Sequence, residues 1–391
     1  MSKTPAENIK RKVVILGSAH PLRGGLAAYN ERIARTYQQQ GDTVKIFTFS
    51  LQYPGFLFPG KTQFSSEPPP ADLDIEINVN SINPISWINA GRKIRDEKPD
   101  LLIIKFWIPF MAPCLGTIAK IVKKNHYTRV VSILDNIIPH EKRPGDRILS
   151  KYFVKHVDGF VAMSEQVMND LNIFDTKKPR TFCPHPLYDH FGKPESKILA
   201  RKKLGLNPDD IYLLFFGFIR DYKGLDLLLE AMANPGIKSM GLKLLVAGEF
   251  YTDSKPYFEI IEKHHLDDKV VMSNDFIPDS KVADYFNAAD LVVQPYKDAT
   301  QSGVTQIAYH FEKPMITTNV GGLAEIVPDD KVGFVVNPVV DEIAEAILRF
   351  FKMDKENTFI ENIKIEKQKY SWKRMLEAVD VVAKEAEKGN N

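Results

Sequence analysis

Short runs of apolar residues alternate along this chain with stretches whose apolar positions recur every three to four residues. Residues 12–17 (KVVILG) form such a run. Residues 26–40 follow with helical spacing, and Gly41 is a natural stop. Further runs lie at 44–49, 101–105, 130–134 and 159–163. A second series starts at 211–216 and continues at 242–247, 270–272, 291–294 and 315–317. Helical patterns at 225–232, 257–265, 281–288 and 305–311 separate its members. A strand that is apolar throughout is buried on both faces, so the runs predict parallel sheets covered by helices on either side. Each series has its own first strand and its own switch point. The expected fold is α/β, with two Rossmann-like doubly wound domains.

Breaks in the pattern set the expected boundary. His185, Pro186, Gly192 and Pro194 interrupt regularity, dividing an N-terminal domain of 1–192 from a C-terminal domain of 193–369. Residues 195–204 read as a short basic helix. The tail, 370–391, reads as a charged helix that packs back on the first domain. Residues 51–71, with Pro54, Pro59 and Pro68, form a loop; Phe56, Phe58 and Phe64 in it either close as a lid or pack down.

Composition narrows the class. The 391 residues are 44% hydrophobic and 26% charged, as in an ordinary globular protein. Fifty-two basic residues against 50 acidic ones leave a formal charge of +2, which gives no electrostatic case for nucleic acid. Cys114 and Cys183 lack metal-ligand spacing and fit a reducing compartment or simple burial. The opening MSKTPAENIKRK has no signal-peptide core and no apolar run approaches 18 residues, so a cytoplasmic location is expected.

Candidate chemistry concentrates in residues 213–230, LLFFGFIRDYKGLDLLLE. An apolar run meets Gly217, then Arg220 and Lys223 precede a helical pattern that opens at Gly224. Two cations and the free N–H groups of a helix start suit a phosphate or diphosphate. Two solvated cations on a loop are the plainer alternative.

Several motifs in order resemble the GT-B retaining glycosyltransferases of family 4, the glycosyl transferases group 1 type. Arg23-Gly24-Gly25 is similar to the family's glycine-rich loop. FFGFIRDYKGLDLLLEA, LLVAGEF (244–250), FNAADLVVQPY (286–296), EKPMITTNVGGLAEIV (312–327) and GFVV (333–336) follow. The resemblance spans almost the whole chain. It implies two domains facing a cleft, with a nucleotide-sugar held mostly by the C-terminal one. Arg220 and Lys223 would grip the diphosphate and stabilise the leaving nucleotide. Gly24 and Gly25 would let backbone approach phosphate or sugar, or else form a plain tight turn. The base would sit near Phe276 and Ile277, and both UDP- and GDP-sugars fit. No metal and no cofactor is expected, because the cations take the metal's place. The D-x-D of Asp72-Leu73-Asp74 precedes a strand-like stretch, which argues against a metal role.

Two departures stand out. The family's paired glutamates, counted back from Pro314, fall on Ala299 and Ile307. Nearby polar groups are candidates instead: Gln301 toward the sugar, Gln306 toward the ribose, and the backbone of Gln301, Ser302, Gly303 and Val304 at a helix start. Both glutamines can equally be helix-start residues with no ligand. After the 130–134 strand, where the family often has histidine, stands Asp135, followed by Asn136, His140 and Glu141. Asp135 can hydrogen-bond a sugar hydroxyl, take an acceptor proton, or cap a helix. The resemblance implies a mechanism in which the leaving phosphate itself deprotonates the acceptor.

The expected activity is transfer to a glycan or lipid-linked acceptor, in cell-envelope or exopolysaccharide assembly. Residues 105–124 are aromatic and apolar, then basic, and Lys120, Lys123 and Lys124 among them either touch anionic lipid peripherally or form a solvated helix end. A catalytically inactive GT-B binding protein is the first alternative and a nucleotide-sugar epimerase of the same architecture the second.

Overall fold

The computed structural model describes residues 10–55, 62–139, 143–299 and 302–388. They fold as two units. The first holds Thr62–Pro184, the described residues before them, and a helix that begins at Trp372. The second holds His185–Ser371.

The first unit is built on seven strands: β1 (Lys12–Leu16), β2 (Thr43–Leu51), β3 (Asp74–Asn80), β4 (Leu101–Phe106), β5 (Arg129–Leu134), β6 (Gly159–Ala162) and β7 (Arg180–Phe182). All pair in parallel, in the order β3-β2-β1-β4-β5-β6-β7, so the direction of winding turns between β1 and β4. The helix Gly25–Gln39 buries Tyr29, Ile33 and Tyr37, one turn apart, on its inner side. The helix Trp372–Lys388 joins this unit from the far end of the chain. It buries Met375, Leu376, Val379 and Val382, each worth about 1.5–3 kcal/mol of apolar burial. Trp372 meets Tyr29 with ring centroids 4.9 Å apart, and Asp380 accepts from Arg11 at 2.8 Å. Val382 sits so close to Gly159 that a Cβ there would lie 2.3 Å from its Cγ1.

Six parallel strands form the second sheet: β8 (Tyr212–Phe216), β9 (Lys243–Ala247), β10 (Val270–Ser273), β11 (Leu291–Gln294), β12 (Met315–Thr318) and β13 (Gly333–Val336). Their order is β10-β9-β8-β11-β12-β13, with the turn between β8 and β11. Leu213, Phe215, Leu228, Leu244, Val246 and Ile347 lie in its core. Asp290, just before β11, accepts from Arg201 at 2.6 Å and from the Tyr212 N–H at 2.7 Å, tying the short basic helix Lys197–Lys203 to the sheet. The entering and leaving segments run side by side, with the Leu187 N–H donating to the Tyr370 carbonyl at 3.0 Å. Cys114 and Cys183 are both buried, and burial pushes the Cys183 thiol up to about 11.

Candidate functional site

The turning point of the second sheet is where a doubly wound unit receives ligand, outside the carboxyl ends of β8 and β11. β8 runs out at Phe216, and Gly217 takes φ 100°, a conformation that favours glycine. A 3-10 turn, Asp221–Lys223, comes next, and the helix expected over 225–232 follows as Leu225–Met232, with left-handed Gly224, at φ 68°, as its N-cap. A Cβ on Gly217 would lie 3.0 Å from Lys223 Nζ, so the glycine makes room for the ammonium. A Cβ on Gly224 would lie 2.0 Å from the Pro295 carbonyl oxygen. Arg220 lies over the Tyr251 ring at 5.1 Å, and Lys223 Nζ stands 5.5 Å from the Tyr296 centroid. Among the described residues, no carboxylate forms an ion pair with either cation. Desolvation, and then the charge of Arg220, bring Lys223 down to about 8. Two like charges held together in this way favour an incoming anion.

The loop after β11 supplies the other side. Ser302 is the N-cap of the helix Gly303–His310 but makes no capping bond through its side chain. Its Oγ lies 3.3 Å from the Tyr296 hydroxyl. Val304 Cγ2 is 3.7 Å from the position of a Gly217 Cβ. Gly217, Lys223, Ser302 and Val304 are thereby brought together around Tyr296, a residue the sequence reading did not single out. Gln306 is one turn inside the helix instead of at its start. It is fully buried, and its amide Nε2 and Oε1 make no hydrogen bond with any described residue. Ala299 and Ile307 are 3% and 6% exposed. Gln301 lies outside the described residues, as do Phe56, Phe58, His140 and Glu141.

A row of rings continues from the cations. Tyr251 stacks on Phe218 with centroids 4.3 Å apart, and Phe218 on Phe276 at 6.0 Å. Phe276 and Ile277, half-buried beyond β10, are thus linked to Arg220 through two aromatic contacts. A sequence signal for the intermediate pair existed: Phe218 and Tyr251 each follow a strand-ending glycine closely.

The remaining candidates belong to the first unit. Gly24, at φ 97°, is the N-cap of the helix Gly25–Gln39, and Gly25 is its exposed first residue. Asp135 follows β5, its N–H donating to the Phe106 carbonyl at 2.9 Å. It caps no described helix; the next one begins at Asp146 with Gly145 before it. Its Oδ1 accepts from Lys105 Nζ at 2.9 Å, and that ammonium lies 3.5 Å from the Tyr29 centroid. Lys105 was missed in the sequence because nothing in IIKF reveals a partner thirty residues on. Asp72 is bound by Arg35 at 2.6 Å. Among the described residues no group of three or more His, Cys, Asp or Glu is placed to hold a metal ion. Phe64 pairs with Leu22 in an isolated bridge, and Lys123 pairs with Asp158. No described helix is long and apolar enough to cross a membrane.

Two doubly wound units, one with paired cations at its turning point, define the GT-B class. Residues 196–366 match the model for Glycosyl transferases group 1, and residues 23–181 match that for Glycosyltransferase Family 4. The chain belongs to the family 4 glycosyltransferases of GT-B fold. Over 148 residues it is 32% identical to the D-inositol 3-phosphate glycosyltransferase of Segniliparus rotundus, covering 37% of this chain and 33% of that protein. Over 222 residues it is 27% identical to the glycogen synthase of Thermus caldophilus, covering 56% and 48%. The matches thus span between a third and a half of these relatives' length. Sucrose-phosphate synthase from Thermosynechococcus elongatus shares the fold at TM-score 0.72 and 17% identity, covering 95% of this chain and 96% of that one. Anabaena HepE, solved in complex with UDP and glucose, shares it at TM-score 0.72 and 16% identity, covering 95% and 100%.

Proposed function

We propose that the protein is a retaining glycosyltransferase that moves a sugar from a UDP- or GDP-sugar to a glycan or lipid-linked acceptor. The observation that carries this is the loop after β8, where Arg220 and half-buried Lys223 stand beside Gly217. The second unit binds the donor. Arg220 and Lys223 hold the diphosphate and offset the charge that grows on it as the glycosidic bond breaks. Ser302 and the backbone of Gly303 and Val304 bind phosphate or sugar oxygens, Gln306 faces the ribose, and the base lies along Phe276 and Ile277. The leaving phosphate takes the acceptor's proton on the same face of the sugar. Asp135, from the first unit, accepts a hydrogen bond from a hydroxyl of the transferred sugar, and Gly24 and Gly25 give backbone access. The UDP complexes of the like-folded HepE support a nucleotide donor.

The test is a thermal-shift screen against UDP-, GDP-, ADP- and dTDP-sugars, with and without EDTA. A donor at a hundred times its Kd stabilises the folded protein by about 2.7 kcal/mol. One EDTA-insensitive hit is expected, because the cations carry the metal's role. A folded protein that responds to none of the four loses this assignment. The buried, apolar Ala299 and Ile307 favour a second reading, a binding protein without turnover. Release of free sugar from the bound donor separates the two. For a lipid-linked acceptor, Lys120 and Lys124 are the headgroup contacts, and flotation with anionic liposomes at low salt tests them.

A further inference from the structure

Lys105 stands at the carboxyl end of β4, next to β1, where the strand order of the first sheet turns. A ligand of this unit lies above that point. The Lys105 side chain is only 2% exposed, whereas Asp135 is 13% exposed, so the carboxylate is the member of the pair that a ligand reaches. The ammonium ends on two groups from different elements. It donates to Asp135 Oδ1 at 2.9 Å, and it lies 3.5 Å from the ring of Tyr29, on the helix that Gly24 caps. One buried cation therefore fixes the carboxylate after β5 against the helix behind the glycine loop.

Stability alone gives little reason for such a pair. Burial pushes the Lys105 ammonium below its ordinary value, and Asp135 only partly restores it. Apolar residues of similar volume usually serve a core as well or better. What the pair supplies is a carboxylate with one oxygen held by Lys105 and its orientation set before substrate arrives. Preorganised acceptors of this kind lower a barrier because they need no rearrangement during reaction.

We infer that Lys105 is a positioning residue for sugar transfer, acting through Asp135 and not by touching substrate. The inference rests on the reading of Asp135 given above. Four full-length proteins test it: wild type, Asp135→Asn, Lys105→Met and the double variant. UDP-glucose and GDP-mannose hydrolysis are the probes, measured well below each melting temperature. Asp135→Asn should lower kcat about thirtyfold, the scale of one charge-assisted hydrogen bond. Lys105→Met should lower it about tenfold with donor KM within about twofold, and the double variant should be no slower than Asp135→Asn. Because Lys105→Met leaves a charge uncompensated, Lys105→Gln, which keeps a donor to Asp135, is measured beside it and should recover part of the rate. Multiplying losses in the double variant, or a fall in kcat only where melting also falls, would mark Lys105 as merely structural. If Asp135→Asn is slow and Lys105→Met is not, the Asp135 reading stands and this inference fails. An Asp135→Asn protein at wild-type rate removes both.

Discussion

Nucleotide binding should take up a proton at Lys223. In the free protein its ammonium sits at about 8 instead of 10.5, because desolvation and the neighbouring Arg220 both oppose the charge. A bound diphosphate offsets the Arg220 charge with a counter-charge of its own and so raises the Lys223 value. About nine-tenths of the free molecules then carry the charge at pH 7 and about one-tenth at pH 9. Apparent affinity for UDP-glucose should fall about tenfold across that interval, with about half a proton taken up per donor at pH 8. Calorimetry at pH 8 in HEPES and in Tris reads the uptake as a difference in apparent enthalpy. Lys223→Met should bind more weakly at pH 7 and lose the slope. The same shift bears on stability. The folded value lies below the unfolded one, so the unfolded chain holds more protons between about 8 and 10.5. The ligand-free protein should therefore gain stability as pH rises through that window. The cost below it is at most about 3 kcal/mol, and less because Lys223 keeps some contact with water. Lys223→Met should thus melt higher than wild type at pH 7 without nucleotide. A flat affinity from pH 7 to 9, or the same slope in Lys223→Met, would refute this account.

Other outcomes follow from the same loops. Arg220→Ala should cost about a hundredfold or more in kcat while circular dichroism stays unchanged, since its nearest ring, Tyr251, is only half-buried. Gly224→Ala must move the loop away from the Pro295 carbonyl, and should lose about 2 kcal/mol or more by chemical denaturation together with donor binding. Gln306→Leu replaces a buried amide lacking a described partner. It should stabilise the free protein by about 1–2 kcal/mol and weaken UDP binding about tenfold by calorimetry. Unchanged UDP affinity would remove Gln306 from the ribose site.

The buried strands were legible because they are apolar on both faces. β11 is LVVQ and lies where the pattern put it, whereas β13, GFVV, was read from the family resemblance. The edges were harder. β3, DIEINVN, is half-exposed and alternates, and β7, RTF, is three residues long, so neither gives an apolar run. The proximity of Arg220 and Lys223 could be read because both stand in one short loop. Asp135 was read as a candidate, but its pairing with Lys105 was not, since that exists only across paired strands. Tyr296 was passed over for a related reason. It sits at the end of a strand like any core aromatic, and only the fold sets it between Lys223 and Ser302.

The hydrogen bond from Leu187 to Tyr370 has a consequence for how this protein can be dismantled. It joins the first and last stretches of a block that the rest of the chain encloses, so the second unit is in topological terms a cassette inserted into the first. Its two ends meet, and residues 185–371 can be excised, expressed alone or exchanged for the equivalent block of a relative without opening any strand. On the proposed assignment, donor preference would travel with that cassette. A stop codon ahead of Trp372 is a different matter. It leaves the cassette whole and strips the opposite unit of the helix that covers Gly159 and Tyr29, so a late truncation injures the half of the protein made first.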